Sequence, residues 1–408
     1  MEKKIFHREL YLEKIRGFYR SDLIKVITGI RRSGKSSFLE SIVEELEAQG
    51  VPEKDIIHLN LDRYGLMSVK TPEQLDERIR ERIVDDDFKF LFIDEIQNVE
   101  DFEPLINAYR EEGRFSIFVT GSNSYLLSGE LVTKLTGRYI EIEMFPLTFR
   151  EYLGMKAFRG LPTGDVHEEF REYVRRGGFP KLLEFENDAD KDAYAANVVG
   201  QIVDKDIFRR VKIRNRSAFP RIMDFVVNNF GATASLTSIT DFFAKRESLK
   251  VSPETVNGYI ETLENAKILY RCPRFDVKSR KSMSREQKYY LADLGIYFAR
   301  NTDGHVNYGP ALENILFVYL RSKGYAVSVG RIGKLECDFI ARKGDQYHYI
   351  QVATTIADPA TEEREYAPFR HIRDNYPKHL FTMDPLPQNR DGVLHHNIAE
   401  FIAAGEDL

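Results

Sequence analysis

The chain has 408 residues, with 59 lysine and arginine residues against 64 aspartate and glutamate residues, a formal net charge of −5. This length exceeds what one hydrophobic core normally organises, so we expect two or three domains. The charge balance excludes nucleic-acid binding through overall charge, which leaves local basic segments. Two cysteines exclude a disulfide-rich scaffold and fit a cytoplasmic protein. No apolar run is long enough to predict a membrane span.

The first predicted elements are a short helix near residues 10–18, a buried strand over 23–29, and a helix that ends near Gly50. The loop between strand and helix reads GIRRSGKS, which is the P-loop pattern G-x-x-x-x-G-K-[ST]. Its glycines let backbone N–H groups face phosphates, its lysine reaches the β- and γ-phosphates, and its serine can ligate Mg²⁺. The predicted ATP-binding residues are Gly29, Arg31, Arg32, Ser33, Gly34, Lys35, Ser36 and Ser37.

A second strand at 55–62 and a helix from Pro72 precede an apolar strand at 88–95 that ends in Asp94 and Glu95. This pattern is typical of a Walker B strand. We expect Asp94 to hold Mg²⁺ together with Ser36, and Glu95 to polarise the attacking water. The extra strand between the two motifs, with a glutamate after the aspartate, favours AAA-type and RecA-type ATPases over GTPases and kinases.

The next two strands, at 115–122 and 139–144, carry two further candidates. Asn123 follows the first of them, where a sensor amide would sit beside the γ-phosphate; an ordinary turn at the strand end is the alternative. Arg138 precedes the second and could stabilise transition-state charge in its own subunit or in a neighbour of a homo-oligomer. A solvated turn arginine is the alternative.

Several segments together resemble the bacterial and archaeal ATPases that join an N-terminal AAA-type domain to a C-terminal domain of unknown function. They are GIRRSGKSSFL, FLFIDEIQN, VTGSNSYLLS, LTGRYIEIEMFPLTFREYL, RRGGFPKLL and EREYAPFRHIRDNYPKHLF. The resemblance implies ATP binding, a winged-helix segment and a C-terminal fold like that of the PD-(D/E)xK nucleases. The expected α/β chain therefore has an AAA-type P-loop ATPase domain (1–150), a helical connecting region (151–216), a winged-helix domain (217–300) and a nuclease-like domain (301–408).

Two basic segments lie in the middle of the chain. Residues 204–216 hold six basic and two acidic residues, and residues 271–288 carry a net charge of +5 where a wing would lie against DNA phosphates. The latter, with the outward face of a helix that begins near Ser252, supplies the predicted DNA-binding residues: Thr255, Asn257, Arg274, Lys278, Arg280, Lys281, Arg285 and Lys288. A solvated hairpin or a protein-binding face is the alternative.

The C-terminal domain departs from the nuclease pattern. Glu313 and Asp338 fall where the nucleases place acidic metal ligands, but Gln351 and Ala353 stand where E-x-K is expected. Unless the side chain of Lys334 or Lys343 extends to Glu313 and Asp338, this site lacks the cation that stabilises the transition state. We therefore expect a domain that does not cleave DNA.

These expectations combine into Mg²⁺-dependent ATP hydrolysis coupled to DNA binding or remodelling. Two alternatives stay open. One is a nucleotide-dependent signalling switch that binds a protein partner, and the other is an ATP-coupled nuclease.

Overall fold

The computed structural model describes residues 4–122, 137–277, 279, 281–301 and 306–408, and over 281–286 it describes the backbone alone. The chain divides into two compact units, Met1–Met144 and Phe145–Leu408. The first corresponds to the expected ATPase domain, and the remaining predicted segments lie in the second. Among the helices that the structure describes, none is both long and apolar enough to cross a membrane.

The described part of the first unit is built on a parallel sheet with strand order β2-β3-β4-β1-β5. The strands are β1 (Ile24–Thr28), β2 (Ile56–Asn60), β3 (Lys89–Asp94), β4 (Phe115–Gly121) and β5 (Tyr139–Glu143). The helices are α1 (Glu9–Ile15), α2 (Lys35–Ala48), α3 (Pro72–Arg80) and α4 (Glu103–Glu111). The predicted mixed α/β architecture, with a parallel sheet typical of AAA domains, is confirmed.

Apolar side chains cover both faces of this sheet. Every residue of β1, β3 and β4 is buried, as expected for central parallel strands with helices packed on both sides. One core contains Val26 with side chains of α3 and α4, and the other contains Ile27 with side chains of α1 and α2. Adjacent residues of β1 thus face opposite cores, which fixes the strand in its register.

The strand register brings the C-terminal ends of β1, β3 and β4 to one edge of the sheet. Thr28 of β1 pairs with Gly121 of β4, and Ile93 of β3 pairs with Val119 of β4. Since all three strands are parallel, the loops that follow them emerge side by side. This edge therefore gathers the P-loop, the end of the Walker B strand and the end of β4.

The second unit begins with helices and ends in a large mixed sheet. Its helices are α5 (Phe149–Phe158), α6 (Val166–Arg176), α7 (Asp188–Gln201), α8 (Ala218–Asn228), α9 (Leu236–Arg246), α10 (Pro253–Asn265), α11 (Leu294–Arg300), α12 (Tyr308–Ser322), α13 (Pro359–Arg370) and α14 (Ile398–Ala404). A π-helical turn, Ile202–Phe208, extends α7.

The strands of the second unit are β6 (Thr233–Ala234), β7 (Leu269–Asp276), β8 (Lys281–Leu291), β9 (Ala326–Ile332), β10 (Leu335–Lys343), β11 (Gln346–Val352), β12 (Lys378–Thr382) and β13 (Val393–Asn397). In the described residues they form one sheet, ordered β13-β12-β11-β10-β9-β7-β8-β6. Strand β8 pairs antiparallel with both β6 and β7, whereas β11, β12 and β13 run parallel.

The GGFP segment joins distant parts of the second unit. The Gly178 carbonyl accepts from the Leu147 N–H at 2.7 Å, and the Gly178 N–H donates to Asp293 Oδ2 at 2.6 Å. A Cβ atom at Gly178 would lie 2.1 Å from the Leu147 carbonyl oxygen, and Gly177 has a φ of +76°. Both glycines are therefore required by close backbone contact and by backbone conformation.

Gly178→Ala is expected to lower the free energy of unfolding by about 2–3 kcal/mol, because the new methyl group forces the backbone of residue 147 to move. Gly200→Ala is the matched control. Gly200 lies on α7 with no atom within 4 Å of its added Cβ, so alanine there should stabilise the helix by roughly 0.5–1 kcal/mol. Urea unfolding of the full chain measures both changes. Equal stabilities for the two variants would contradict the packing argument.

Candidate nucleotide-binding and hydrolysis site

The P-loop connects β1 to α2 through two glycines in conformations that disfavour other residues. Gly29 has a φ of +143° and Gly34 a φ of +101°. A Cβ atom at Gly29 would lie 2.1 Å from the Met144 carbonyl oxygen. Arg32 also has a positive φ of 68° and is exposed, so its side chain points away from the core. The loop thus has the tight curl that turns backbone N–H groups towards a phosphate chain.

The Lys35 side chain is folded back over this loop. Its Nζ donates to the carbonyl oxygens of Gly29 at 2.9 Å and Ile30 at 3.0 Å, and the residue is buried. The Ser33 hydroxyl is buried too and has no hydrogen-bond partner within the described residues. Ser36 and Ser37 are half-buried in the first turn of α2. A phosphate oxygen would supply the acceptor that the Ser33 hydroxyl lacks, and the Lys35 ammonium is the cation that a phosphate chain requires, so these residues fit a nucleotide.

Asp94 ends the Walker B strand in a fixed orientation. Its Oδ2 accepts from Asn60 Nδ2 at 2.9 Å and its Oδ1 accepts from the Thr120 hydroxyl. The same Thr120 oxygen accepts from the Glu95 N–H at 3.0 Å. A buried, doubly oriented carboxylate is an oxygen donor that suits Mg²⁺, and the Ser36 hydroxyl in the first turn of α2 is a second oxygen donor at the same edge of the sheet.

Glu95 follows in an unusual backbone conformation, with φ 58° and ψ 47°. A non-glycine residue in this left-handed region carries conformational strain, which is frequent at functional sites. Burial raises the pKa of the Glu95 carboxyl, and the nearby cations of Lys35 and Arg31 oppose that rise. The carboxylate is therefore a stronger base than a solvated glutamate, as a residue that takes up a proton should be.

Three contacts at this edge of the sheet were not predicted from the sequence. Arg8 Nη1 donates to the Ser33 carbonyl at 2.9 Å, Asn60 orients Asp94, and the Gln97 amide contacts Glu95. Gln97 lies two residues after Glu95 in the DEIQN motif, so the motif itself was the available signal. Arg8 and Asn60 are far from the motifs in sequence and carried no comparable signal.

The two remaining ATPase candidates have different outcomes. Asn123 lies outside the described residues. Arg138 precedes β5, and β5 pairs in parallel with β1 so that Tyr139 is opposite Ile24 and Glu143 is opposite Thr28. Arg138 therefore lies at the edge of the sheet opposite the P-loop, roughly 16 Å away along the strand. The predicted role in its own subunit is wrong, because the parallel strand separates the two ends; its Nη1 instead donates to Asn107 at 3.1 Å.

Arg138→Ala is expected to leave ATP turnover within about twofold of wild type at protein concentrations where the chain is monomeric. Phosphate release measured over a range of protein concentrations checks this. A loss that grows with concentration, and that is relieved by mixing with Lys35→Ala protein, would place Arg138 at a neighbour's site. A loss at every concentration would contradict the position of Arg138 relative to β1.

Glu313 and Asp338, which the sequence predicted as acidic ligands of a nuclease-like site, come together around a lysine that was not predicted to lie there. Lys288 Nζ lies 3.1 Å from Glu313 Oε2, 3.0 Å from Glu336 Oε1 and 3.9 Å from Asp338 Oδ1. Its side chain is 6% exposed. Desolvation and the neighbouring Glu313 raise the pKa of Asp338 well above its usual range. Three partly buried carboxylates thus converge on one buried ammonium group.

The two lysines that could have replaced the missing lysine of E-x-K do not lie among these carboxylates. Lys343 Nζ lies 3.4 Å from Asp407 and its side chain is half exposed, and Lys334 is exposed. Gln351 takes a positioning role instead of ligating, since its Oε1 accepts from the Asp338 N–H and its Nε2 donates to Glu365, both at 2.8 Å.

Two of the predicted DNA-binding residues are wrong. Lys288 is buried among carboxylates, and Arg274 donates to Glu336 at 2.6 Å with its side chain 13% exposed. Cations that neutralise internal carboxylates are not available to phosphates. Thr255 and Asn257 are half-buried on α10, a helix with three glutamates and no basic residue. Lys278 and Arg280, and the side chains of Lys281 and Arg285, lie outside the described residues.

A second basic segment is exposed. Between residues 205 and 216 all six basic side chains are exposed: Lys205, Arg209, Arg210, Lys212, Arg214 and Arg216. The segment is held by its buried Ile213 and by Asn215, whose backbone N–H and carbonyl both bond the Tyr259 hydroxyl of α10 at 3.2 Å. It is therefore an irregular but anchored surface on which positive charge predominates, with Arg209 paired to Asp204 at 3.0 Å.

Comparison with known proteins gives two matching family models. Residues 21–153 match an AAA domain, and residues 167–303 match a domain of unknown function (DUF8612). The DNA-bound Aeropyrum pernix ORC1 structure is similar over 74% of this chain and 93% of its own, with 15% identity and a TM-score of 0.36.

Two uncharacterized proteins are similar over nearly the whole chain. One, from Methanocaldococcus jannaschii, is 27% identical over 91% of this chain and 82% of its own length. The other, from Haemophilus influenzae, is 34% identical over 395 residues, which cover 96% of this chain and 97% of the relative. The chain therefore belongs to the family of this Haemophilus influenzae protein, and it carries the AAA-type P-loop domain at its N-terminus.

Proposed function

We propose that the N-terminal unit hydrolyses ATP. The observation that carries this proposal is the convergence of Lys35, Asp94 and Glu95 at one edge of a parallel sheet, on the loops that follow β1 and β3. Backbone N–H groups of the P-loop bind the phosphates, and the Lys35 ammonium leaves the loop carbonyls to contact the β- and γ-phosphates. Glu95 holds the attacking water and accepts its proton.

Mg²⁺, when bound, would neutralise phosphate charge, with Ser36 and Asp94 as its protein oxygen donors. Asn60 and Thr120 keep the Asp94 carboxylate in place, so that no reorganisation is needed.

Phosphate release from the purified full chain, with ATP and Mg²⁺, tests the proposal. Hydrolysis that is lost in Glu95→Gln supports it. Hydrolysis unchanged in that variant would mean a contaminating or different activity, and no hydrolysis by wild type in the presence or absence of DNA would overturn it.

We propose further that the second unit associates with DNA. Helices α8, α9 and α10 with strands β6, β7 and β8 follow in the order of a winged helix, and β6-β8-β7 is the strand pairing of that module. The exposed basic segment 205–216 is attached to α10 through Tyr259 and supplies the charge that phosphates require. This surface takes the role that the sequence assigned to Arg274 and Lys288.

The test is DNA binding measured by fluorescence anisotropy across a salt series. Lys212→Glu with Arg214→Glu should weaken binding to all sequences and flatten the salt dependence by about two charge units. Arg171→Glu with Arg175→Glu is the control, with the same charge change at exposed positions of α6. Equal affinity for both variants would overturn the assignment, and absence of salt-dependent binding by wild type would favour a protein partner.

We propose that the nuclease-like fold at the C-terminus does not cleave DNA. Strands β9, β10, β11 and β12 with helices α12 and α13 follow the order of a PD-(D/E)xK core. Lys288 lies where the carboxylates of Glu313 and Asp338 converge, which is where a catalytic divalent ion would have to bind. Incubation with ATP, Mg²⁺ or Mn²⁺ and several DNA forms should leave the DNA intact. Cleavage that disappears in Asp338→Ala would establish a nuclease.

A further inference from the structure

The Gln97 side chain bridges two elements of the hydrolysis site. Gln97 lies on a single helical turn, Ile96–Asn98, that directly follows Glu95. Its Nε2 donates to Glu95 Oε2 and lies 3.4 Å from the buried Ser122 hydroxyl at the end of β4. The amide therefore spans the gap between the Walker B strand and the neighbouring strand end.

The orientation of this amide is fixed by chemistry. An ionised carboxylate accepts hydrogen bonds and donates none, so the group facing Glu95 must be the NH₂ of Gln97. The other atom of the amide, Oε1, is then buried, and no described residue donates to it. A buried acceptor without a donor is unfavourable, so Oε1 is placed to accept a hydrogen bond from a group that binds there during function.

We propose that Gln97 is a second catalytic residue for ATP hydrolysis, whose Oε1 accepts a hydrogen bond from the attacking water. The proposal rests on the ATP hydrolysis proposed above. A water molecule has two protons to donate. One points to the Glu95 carboxylate and the other to Gln97 Oε1, which leaves an oxygen lone pair directed at the γ-phosphorus.

The resulting step balances. The water oxygen forms a new bond to the γ-phosphorus while the bond from that phosphorus to the β–γ bridging oxygen breaks, and the electron pair stays on ADP. Glu95 takes one water proton and later releases it to solvent. The second proton remains on the inorganic phosphate, where Gln97 Oε1 can still accept from it. Gln97 Nε2 meanwhile keeps Glu95 in place.

The experiment compares Gln97→Met with wild type in steady-state hydrolysis and in nucleotide binding. Methionine has a similar length and cannot hydrogen-bond in this way, so kcat should fall on the order of 10-fold or more while KM and nucleotide affinity change little. Asn98→Leu is the control on the same turn, since the Asn98 side-chain amide donates to Asp62 Oδ1 at 2.9 Å and not to the Glu95 carboxylate. It should keep kcat within about twofold.

Gln97→Glu adds a readout that packing alone would not move. A second carboxylate beside Glu95 should raise the pKa of that group and shift the acid limb of the kcat profile to higher pH. A Gln97→Met enzyme with wild-type kcat and an unshifted profile for Gln97→Glu would overturn the role of Gln97 while Glu95-dependent hydrolysis stands. Absence of Glu95-dependent hydrolysis in wild type would overturn both proposals.

Discussion

Glu95→Gln is expected to reduce ATP turnover at least about 100-fold while nucleotide affinity changes by less than about threefold. The amide keeps the shape of the side chain and its contact with Gln97, but it has no carboxylate to accept a proton from water. Turnover by phosphate release, set beside equilibrium binding of a fluorescent nucleotide, separates the two effects. Loss of binding with loss of turnover would indicate that the substitution disturbs the strained backbone at this residue.

The pH dependence of wild-type turnover provides a second check on Glu95. Because burial raises the pKa of this carboxyl, its proton is lost at a pH above the ordinary value for glutamate. The base acts only when it is ionised, so kcat should rise with pH through that pKa and then level off. Glu95→Gln should lack this limb in whatever residual activity remains, because glutamine does not titrate.

Lys35→Ala is the contrasting variant at the same site. The Lys35 ammonium donates to two carbonyls of the P-loop, and it is the cation expected to contact the phosphates. Its removal should therefore weaken nucleotide binding as well as turnover, whereas Glu95→Gln affects turnover alone.

The nucleotide site could be predicted because its signals are local. A strand, a loop with fixed glycine spacing and a helix are consecutive in sequence, and the structure places β1 and α2 within two residues of the predicted bounds. The Walker B strand likewise ends at Asp94, as its apolar run indicates. The role of Arg138 in its own subunit could not be judged from the sequence, because its distance from the P-loop depends on which strand β5 pairs with, and pairing is a tertiary property.

The charge pattern of the second unit was harder to interpret for the same reason. Residues 271–288 are basic in sequence, but Arg274 and Lys288 pair with carboxylates that follow 62 and 25 residues later. Their partners Glu336 and Glu313 belong to a different strand and a helix, so a local count of charges overestimates the exposed positive charge. The basic side chains of the segment 205–216 stay exposed, and the segment belongs to no strand of the sheet.

Lys288→Met is expected to destabilise the chain by about 3 kcal/mol, since it leaves three partly buried carboxylates without the buried counter-ion that they share. Lys343→Met is the matched control. Lys343 forms a half-exposed pair with Asp407, and breaking such a pair costs about 1 kcal/mol or less. Without the ammonium, the carboxyl groups of the folded variant hold protons more tightly than those of the unfolded chain. The stability of the Lys288 variant should therefore fall as pH rises, and recover as pH is lowered and the carboxylates are protonated.

The same variant tests whether the lysine occupies the place of a metal ion. Removing the ammonium leaves Glu313, Glu336 and Asp338 converging without a cation, and a hard divalent cation can take its place among their oxygens. Mn²⁺ should then raise the unfolding temperature of Lys288→Met by several degrees and leave that of wild type unchanged, because only the variant binds the ion in its folded state. Adding Asp338→Asn to Lys288→Met should abolish the Mn²⁺ effect. An equal Mn²⁺ response in wild type would show that lysine and metal bind together, and would reopen the assignment of this domain as non-cleaving.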